Sequence, residues 1–154
     1  MSGSEGPVVT VVMPAYNAER YIDAAVRSVL AQTLTDWELI IVDDGSTDGT
    51  GALVDRFDDP RIIALHKTNG GIGSARNKAL EVARGTFLCF LDADDVMPPR
   101  SLEARVAEFH RDPGLGMVDG RVRVMDATLE NELRVFMPQR TDDVFHELVT
   151  FSGR

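Results

Sequence analysis

Cysteine is almost missing from this chain. Cys89 is the only one, so no intramolecular disulfide can form and a cysteine-built zinc site finds no support. It stands in the apolar run Thr86-Phe-Leu-Cys-Phe-Leu91, where a small buried hydrophobe is the plain reading. Long apolar runs are missing too, since none approaches the roughly 20 residues that a membrane-spanning helix needs. Basic residues are outnumbered, 16 Lys and Arg against 25 Asp and Glu, for a net charge of -9. That leaves no basic stripe to neutralise a nucleic-acid backbone, and nucleic acid is set aside as a partner. Met1 to Pro7 lacks the basic and apolar regions of a signal peptide and reads as a flexible leader outside the fold. The expectation is a cytoplasmic protein, with peripheral attachment to a membrane left open.

What is present is a globular composition. Of 154 residues, 44% are hydrophobic and 27% charged, which suits one domain with a real core. Val8 to Met13 is an almost unbroken β-branched run, as in a strand buried on both faces. Pro14-Ala-Tyr-Asn17 breaks it, and Asn17 is a fit N-cap for a helix whose apolar positions are Tyr21, Ile22, Ala25, Val26, Val29 and Leu30. Leu39 to Val42 is a second strand, followed by Asp43-Asp-Gly-Ser-Thr-Asp48 and a helix over 47–57. Ile62 to Leu65 is a third strand. Asn69-Gly-Gly-Ile-Gly73 opens a helix through Ala83, which Gly85 stops. Phe87 to Leu91 is a fourth strand, delivering Asp92-Ala-Asp-Asp95, and Pro98-Pro99 starts a helix through His110 with Leu102, Val106 and Phe109 inward. Strand and helix in this alternation imply a mostly parallel sheet covered on both faces. After Pro113 the rhythm changes. Residues 117–125 and 133–137 read as strands with no evident partner, 147–151 is ambiguous, and the expectation is a chain cut before its fold closes.

In an open parallel sheet, ligands bind beyond the carboxyl ends of the strands. Four polar, glycine-rich or acidic loops sit there. Asp92 and Asp94, as alternate residues, can offer carboxylates to one space, where a hard divalent ion would relieve their repulsion. Helix capping is the competing use, and Asp95 suits it better than Asp92. Asp44 can accept hydrogen bonds from a ribose or base, or serve the turn around Gly45, with Ser46 or Thr47 as the following cap. Gly70-Gly-Ile-Gly-Ser-Ala-Arg76 offers backbone amides at a helix N-terminus to an anion, with Arg76 one turn along. A surface salt bridge is the other use for Arg76. The three histidines show no triad or metal spacing.

Read together, Val9-Thr-Val-Val-Met-Pro-Ala-Tyr-Asn17, Trp37-Glu-Leu-Ile-Ile-Val-Asp-Asp-Gly-Ser-Thr-Asp48, Asn69-Gly-Gly-Ile-Gly-Ser-Ala-Arg-Asn77 and Gly85-Thr-Phe-Leu-Cys-Phe-Leu-Asp-Ala-Asp-Asp95 strongly resemble glycosyltransferase family 2. The resemblance implies a GT-A fold, a Rossmann-like α/β sheet, with residues 8–112 as the donor-binding core and 113–154 as an incomplete start of the acceptor side. It implies transfer from a nucleotide-diphospho-sugar, usually uridine-linked, with inversion, to an acceptor that could be a saccharide, a lipid or a protein. Carried over by position, Pro14, Ala15 and Tyr16 line the base pocket and Asp44 contacts uracil or ribose. Arg76 lies along the nucleotide, and Asn17, Gly71 and Ala93 belong to the same donor site. Asp92 touches the ribose or metal-bound water, Asp94 ligates Mn2+ or Mg2+, and Asp95 supports them. An inverting enzyme also needs a carboxylate base. The family places it well after the acidic motif, so it is expected beyond Arg154; Asp142, Asp143 and Glu147 are acidic but nothing assigns them. The expectation is therefore a glycosyltransferase portion that binds donor, with donor binding without transfer as the alternative. A sugar-phosphate nucleotidyltransferase or a dinucleotide oxidoreductase would carry a Gly-rich phosphate loop after the first strand, and Pro14-Ala-Tyr-Asn17 is not one.

Overall fold

The computed structural model describes residues 6–120, 122–125 and 132–136. Asp142, Asp143, His146, Glu147 and the segment 147–151 lie outside them. The chain divides into two compact units, Met1–Arg111 and Asp112–Arg154.

In the first unit, β1 (Val9–Ala15), β2 (Trp37–Asp43), β3 (Ile62–His66) and β4 (Phe87–Phe90) form one sheet in the order β3-β2-β1-β4. Every pairing in it is parallel. The helices α1 (Ile22–Leu30), α2 (Thr50–Val54), α3 (Ile72–Leu80) and α4 (Ser101–Arg111) fall between and after the strands. β1 and β2 are the inner strands and are buried along their whole length, which is why they read as continuous apolar runs rather than alternating ones.

The side-chain alternation of the strands builds two cores. Val11, Met13, Trp37, Leu39 and Ile41 face one way and pack with Ile22, Val26 and Val29 of α1 and Leu102 and Val106 of α4. Val12, Ile40 and Val42 face the other way, against Ala75 and Ala79 of α3. Leu88 and Phe90 pair with Thr10 and Val12 and share that second face. The packing of α3 is on β1 and β2, so Leu88 and Phe90 stay 49% exposed.

Three polar side chains, Thr10, Glu38 and Asp43, are buried in the inner strands. Glu38 accepts the Thr10 hydroxyl (2.7 Å), the Arg84 backbone N–H (2.7 Å) and the Arg84 guanidinium (2.7 and 3.0 Å). Burial raises its pKa, but these donors more than offset that and hold it below the ordinary carboxylate value.

Several boundaries differ from the sequence reading. Asn17 is not the cap of α1: it sits at φ 50, a conformation Asn tolerates, and the helix begins five residues later at Ile22. Tyr21 and Leu30 are exposed, not core. The second helix is only Thr50–Val54, and neither Ser46 nor Thr47 caps it. Gly49 stands at the N-cap without a side-chain cap bond, and Asp48 before it accepts the Thr50 N–H at 3.0 Å. α3 ends at Leu80, short of Ala83. Gly85 instead lets the chain pass β1, since a Cβ there would stand 2.3 Å from the Thr10 nitrogen.

The second unit holds β5 (Val122–Met125) and β6 (Glu132–Phe136), an antiparallel pair with a register shift at Val124/Met125. The late strands thus pair with each other, where the sequence showed no partner. Arg123 and Glu132 face across the pair at 3.4 Å. Among the described residues, no helix is long and apolar enough to cross a membrane.

Candidate functional site: a cavity at the strand ends

A cavity of about 630 Å³ opens at the carboxyl ends of the parallel strands. It is lined by Pro14, Ala15, Tyr16, Asn17, Ala18, Tyr21, Asp44, Asn69, Gly71, Ile72, Ala75, Asp92, Ala93 and Asp94. Of the residues singled out in the sequence, Pro14, Ala15, Tyr16, Asn17, Asp44, Gly71, Asp92, Ala93 and Asp94 all reach it. Arg76 and Asp95 are not in its wall.

The loop after β1 is held by the loop after β2. Asn17 donates its N–H to Ser46 Oγ (3.0 Å) and accepts the Thr47 N–H on Oδ1 (2.8 Å). Ala18 donates to Thr50 Oγ1 at 2.8 Å, and Gly49 donates to Glu19 Oε2 at 3.0 Å. Ser46 and Thr47 therefore lace two loops together, which explains why they are free of the helix. Above this frame Tyr16 and Tyr21 present half-exposed rings to the cavity.

Asp44 lies at the buried end and is 3% exposed. Its carboxylate accepts the Lys67 ammonium (2.5 Å) and the N–H groups of Gly70 (3.0 and 3.1 Å) and Gly71 (2.7 Å). Two of the amides expected to wait for an external anion at the start of α3, those of Gly70 and Gly71, are taken in this structure by a carboxylate of the protein itself. Burial raises the Asp44 pKa, yet Lys67 and the two amides override it and keep the group below the usual carboxylate range. Gly45, at φ +74, turns the chain just after it, and a Cβ there would meet the Asn69 nitrogen at 2.7 Å.

The acidic segment after β4 is built differently. It is a turn, not extended chain, closed by Asp95 N–H to Asp92 C=O at 3.0 Å. Asp92 and Asp94 nevertheless both line the cavity. Asp92 accepts Arg76 Nη2 at 2.9 Å, and the same guanidinium lies 5.2 Å from the Phe90 ring centre. Asp94 has no hydrogen-bonded partner among the described residues. Asp95 is pushed above its ordinary pKa, first by desolvation and then by the charges of Asp94 and Asp92. Among the described residues no three His, Cys, Asp or Glu side chains form a closed metal cage. The donor set still fits a hard divalent ion, because Mg2+ and Mn2+ commonly take one or two carboxylates and complete their shell with phosphate oxygens and water.

Tyr21, Asn69, Ile72 and Ala75 line the cavity without having been singled out. The apolar period assigned Tyr21 to the core of α1; it stands just before the first helical residue and turns outward instead. Beside the cavity, His66 sets Nδ1 3.2 Å from Asp43 and Nε2 2.8 Å from Asp55.

A parallel sheet with its polar loops gathered round one cavity at the strand ends defines an α/β ligand-binding domain. The chain belongs to glycosyltransferase family 2, whose profile, "Glycosyl transferase family 2", matches residues 10–152. It is 41% identical to a chondroitin synthase of Escherichia coli over 114 residues, 73% of this chain and 17% of that protein. Among solved structures it resembles S. aureus TarS in complex with UDP at a TM-score of 0.64 and 29% identity, covering 76% of this chain and 41% of that one. The mannosyltransferase PcManGT from Pyrobaculum calidifontis, in complex with GDP-Man and Mn2+, gives a TM-score of 0.64 at 30% identity, over 79% of this chain and 36% of that one. The chain spans less than half the length of each of these relatives. Its mostly parallel sheet is of the GT-A type.

Proposed function

We propose that this chain supplies the donor site of a glycosyltransferase and that the cavity takes a nucleotide-diphospho-sugar, uridine-linked, for inverting transfer. The observation that carries the reading is that one cavity holds both an aromatic and amide-rich end, at Tyr16, Tyr21 and Asp44, and a pair of under-used carboxylates, Asp92 and Asp94. Tyr16 and Tyr21 offer ring faces to a base. Asp44 orders Gly70 and Gly71 beneath it and gives the base or ribose a fixed acceptor. Arg76 orients Asp92 and adds positive charge beside the diphosphate. Asp94, and with it Asp92, would hold Mn2+ or Mg2+, with Asp95 in support. Such an ion, when bound, offsets the diphosphate charge and stabilises it as a leaving group. The Mn2+ in the mannosyltransferase complex and the UDP in the TarS complex support this reading.

Donor binding without transfer is the second reading. Among the described residues, each carboxylate in the cavity wall has a place on the donor side, and none is left over there to take a proton from an acceptor hydroxyl. Calorimetric titration with UDP, once in Mn2+ and once in EDTA, tests the site. Manganese-dependent binding is expected. Binding indifferent to metal would remove the roles given to Asp92 and Asp94.

A further inference from the structure

The acidic turn carries three carboxylates in four residues, and like charges this close push the chain apart. Something must hold it. At its start Leu91 donates its N–H to the Val12 carbonyl of β1 at 3.1 Å. At its end the anchor is not the sheet but the far end of α1. Met97 donates its N–H to Ser28 Oγ at 3.0 Å, and that hydroxyl donates its own O–H to the Ala25 carbonyl at 2.6 Å.

Gln32, one turn further along the chain, is only 5% exposed. Its Nε2 donates to the carbonyls of Pro98 (2.8 Å), Ser28 (3.0 Å) and Met97 (3.4 Å). Its Oε1 accepts the Leu102 N–H at 3.0 Å, one of the first-turn amides of α4 that has no acceptor within the helix. One buried amide side chain therefore joins α1, the chain leaving the acidic turn and the start of α4. An apolar side chain in its place would leave those groups unsatisfied in the interior. Neither Gln32 nor Ser28 lines the cavity.

We infer that Gln32 and Ser28 are positioning residues that fix the acidic turn, and so aim Asp92 and Asp94 at a metal-bound diphosphate. The inference rests on the donor-site reading above. Gln32→Glu keeps size and the acceptor for Leu102 but turns a carboxylate oxygen toward the Pro98, Ser28 and Met97 carbonyls. Ser28→Ala removes the acceptor of the Met97 N–H and stands as the second variant should Gln32→Glu fail to fold.

The test uses the whole 154-residue chain. Amide hydrogen exchange over residues 92–97 is measured without metal or nucleotide, and UDP is titrated in Mn2+ and in EDTA. Expected are faster exchange in 92–97 with β1 unchanged, and a loss of about tenfold in UDP affinity in Mn2+ against less than about twofold in EDTA. Unchanged exchange at 92–97, or equal losses in Mn2+ and EDTA, would overturn the inference and leave both residues a purely structural role. Metal-indifferent UDP binding by the unaltered chain would instead remove the metal roles of Asp92 and Asp94, and this inference with them, while absence of UDP binding in both conditions would overturn the donor-site reading itself.

Discussion

Asp44 and Asp94 both end up in the wall of one cavity, each just past a parallel strand, and both come from acidic runs that look alike in sequence. The protein treats them in opposite ways. Asp44 is buried and held by Lys67, Gly70 and Gly71, and these donors stabilise its charge. Asp94 is exposed and without a hydrogen-bonded partner among the described residues, and its neighbour Asp95 is pushed up by desolvation and then by the charges of Asp94 and Asp92. The first carboxylate completes the fold around the loop before α3. The second is left with charge to spare, as expected of a group whose partner arrives with the ligand.

The largest expected effect lies on the Asp44 side. Asp44→Ala strands the Lys67 ammonium, which is 20% exposed, and two backbone N–H groups. We expect a loss of about 2–4 kcal/mol in urea unfolding, before any ligand is added. Asp94→Ala should do the reverse: stability within about 0.5 kcal/mol of the parent chain, and loss of the manganese-dependent part of UDP binding. Thermal stabilisation by UDP with Mn2+, worth about 2.7 kcal/mol at a hundredfold excess over Kd in the parent, would disappear in Asp94→Ala. A strongly destabilised Asp94→Ala, or an unharmed Asp44→Ala, breaks the contrast.

This contrast was out of reach of the sequence. The parallel sheet was legible because β1 and β2 are buried on both faces and carry no alternation to confuse with a half-exposed strand. The cavity wall was legible because its loops directly follow those strands. What sequence could not show is which polar group finds which partner. Asp43-Asp-Gly-Ser-Thr-Asp48 reads as a turn and cap, yet Ser46 and Thr47 bond Asn17, 29 and 30 residues away, and the N-cap is Gly49. Gln32 shows the same limit, since its partners lie beyond residue 96 except for Ser28. Tyr21 was misplaced because helical spacing does not reveal where the helix starts.

The smallest effect concerns Asp43, whose side chain, unlike that of neighbouring Asp44, does not reach the cavity. Asp43 accepts the Ser46 N–H at 3.0 Å and meets His66, which also meets Asp55. The hydrogen bond to the Asp55 carboxylate, then that to Asp43, raises the His66 pKa above its ordinary 6.5. A raised folded pKa means that the His66 contribution is fully present below about pH 6.5 and fades as pH climbs through the folded value. Asp43 is displaced the other way, with burial opposed and outweighed by Ser46 and His66. Its contribution is present at neutral pH and fades only in acid, as pH falls through its lowered folded pKa. The His66 side chain is 44% exposed, so solvent screening keeps its share below about 1 kcal/mol. Between about pH 6 and pH 8.5 the parent should therefore lose slightly more thermal stability than His66→Gln, which cannot carry the charge. Equal slopes for the two proteins over that interval would show that the His66 bridge contributes nothing to the loop after β2, and would leave the lacing through Asn17 as what holds it.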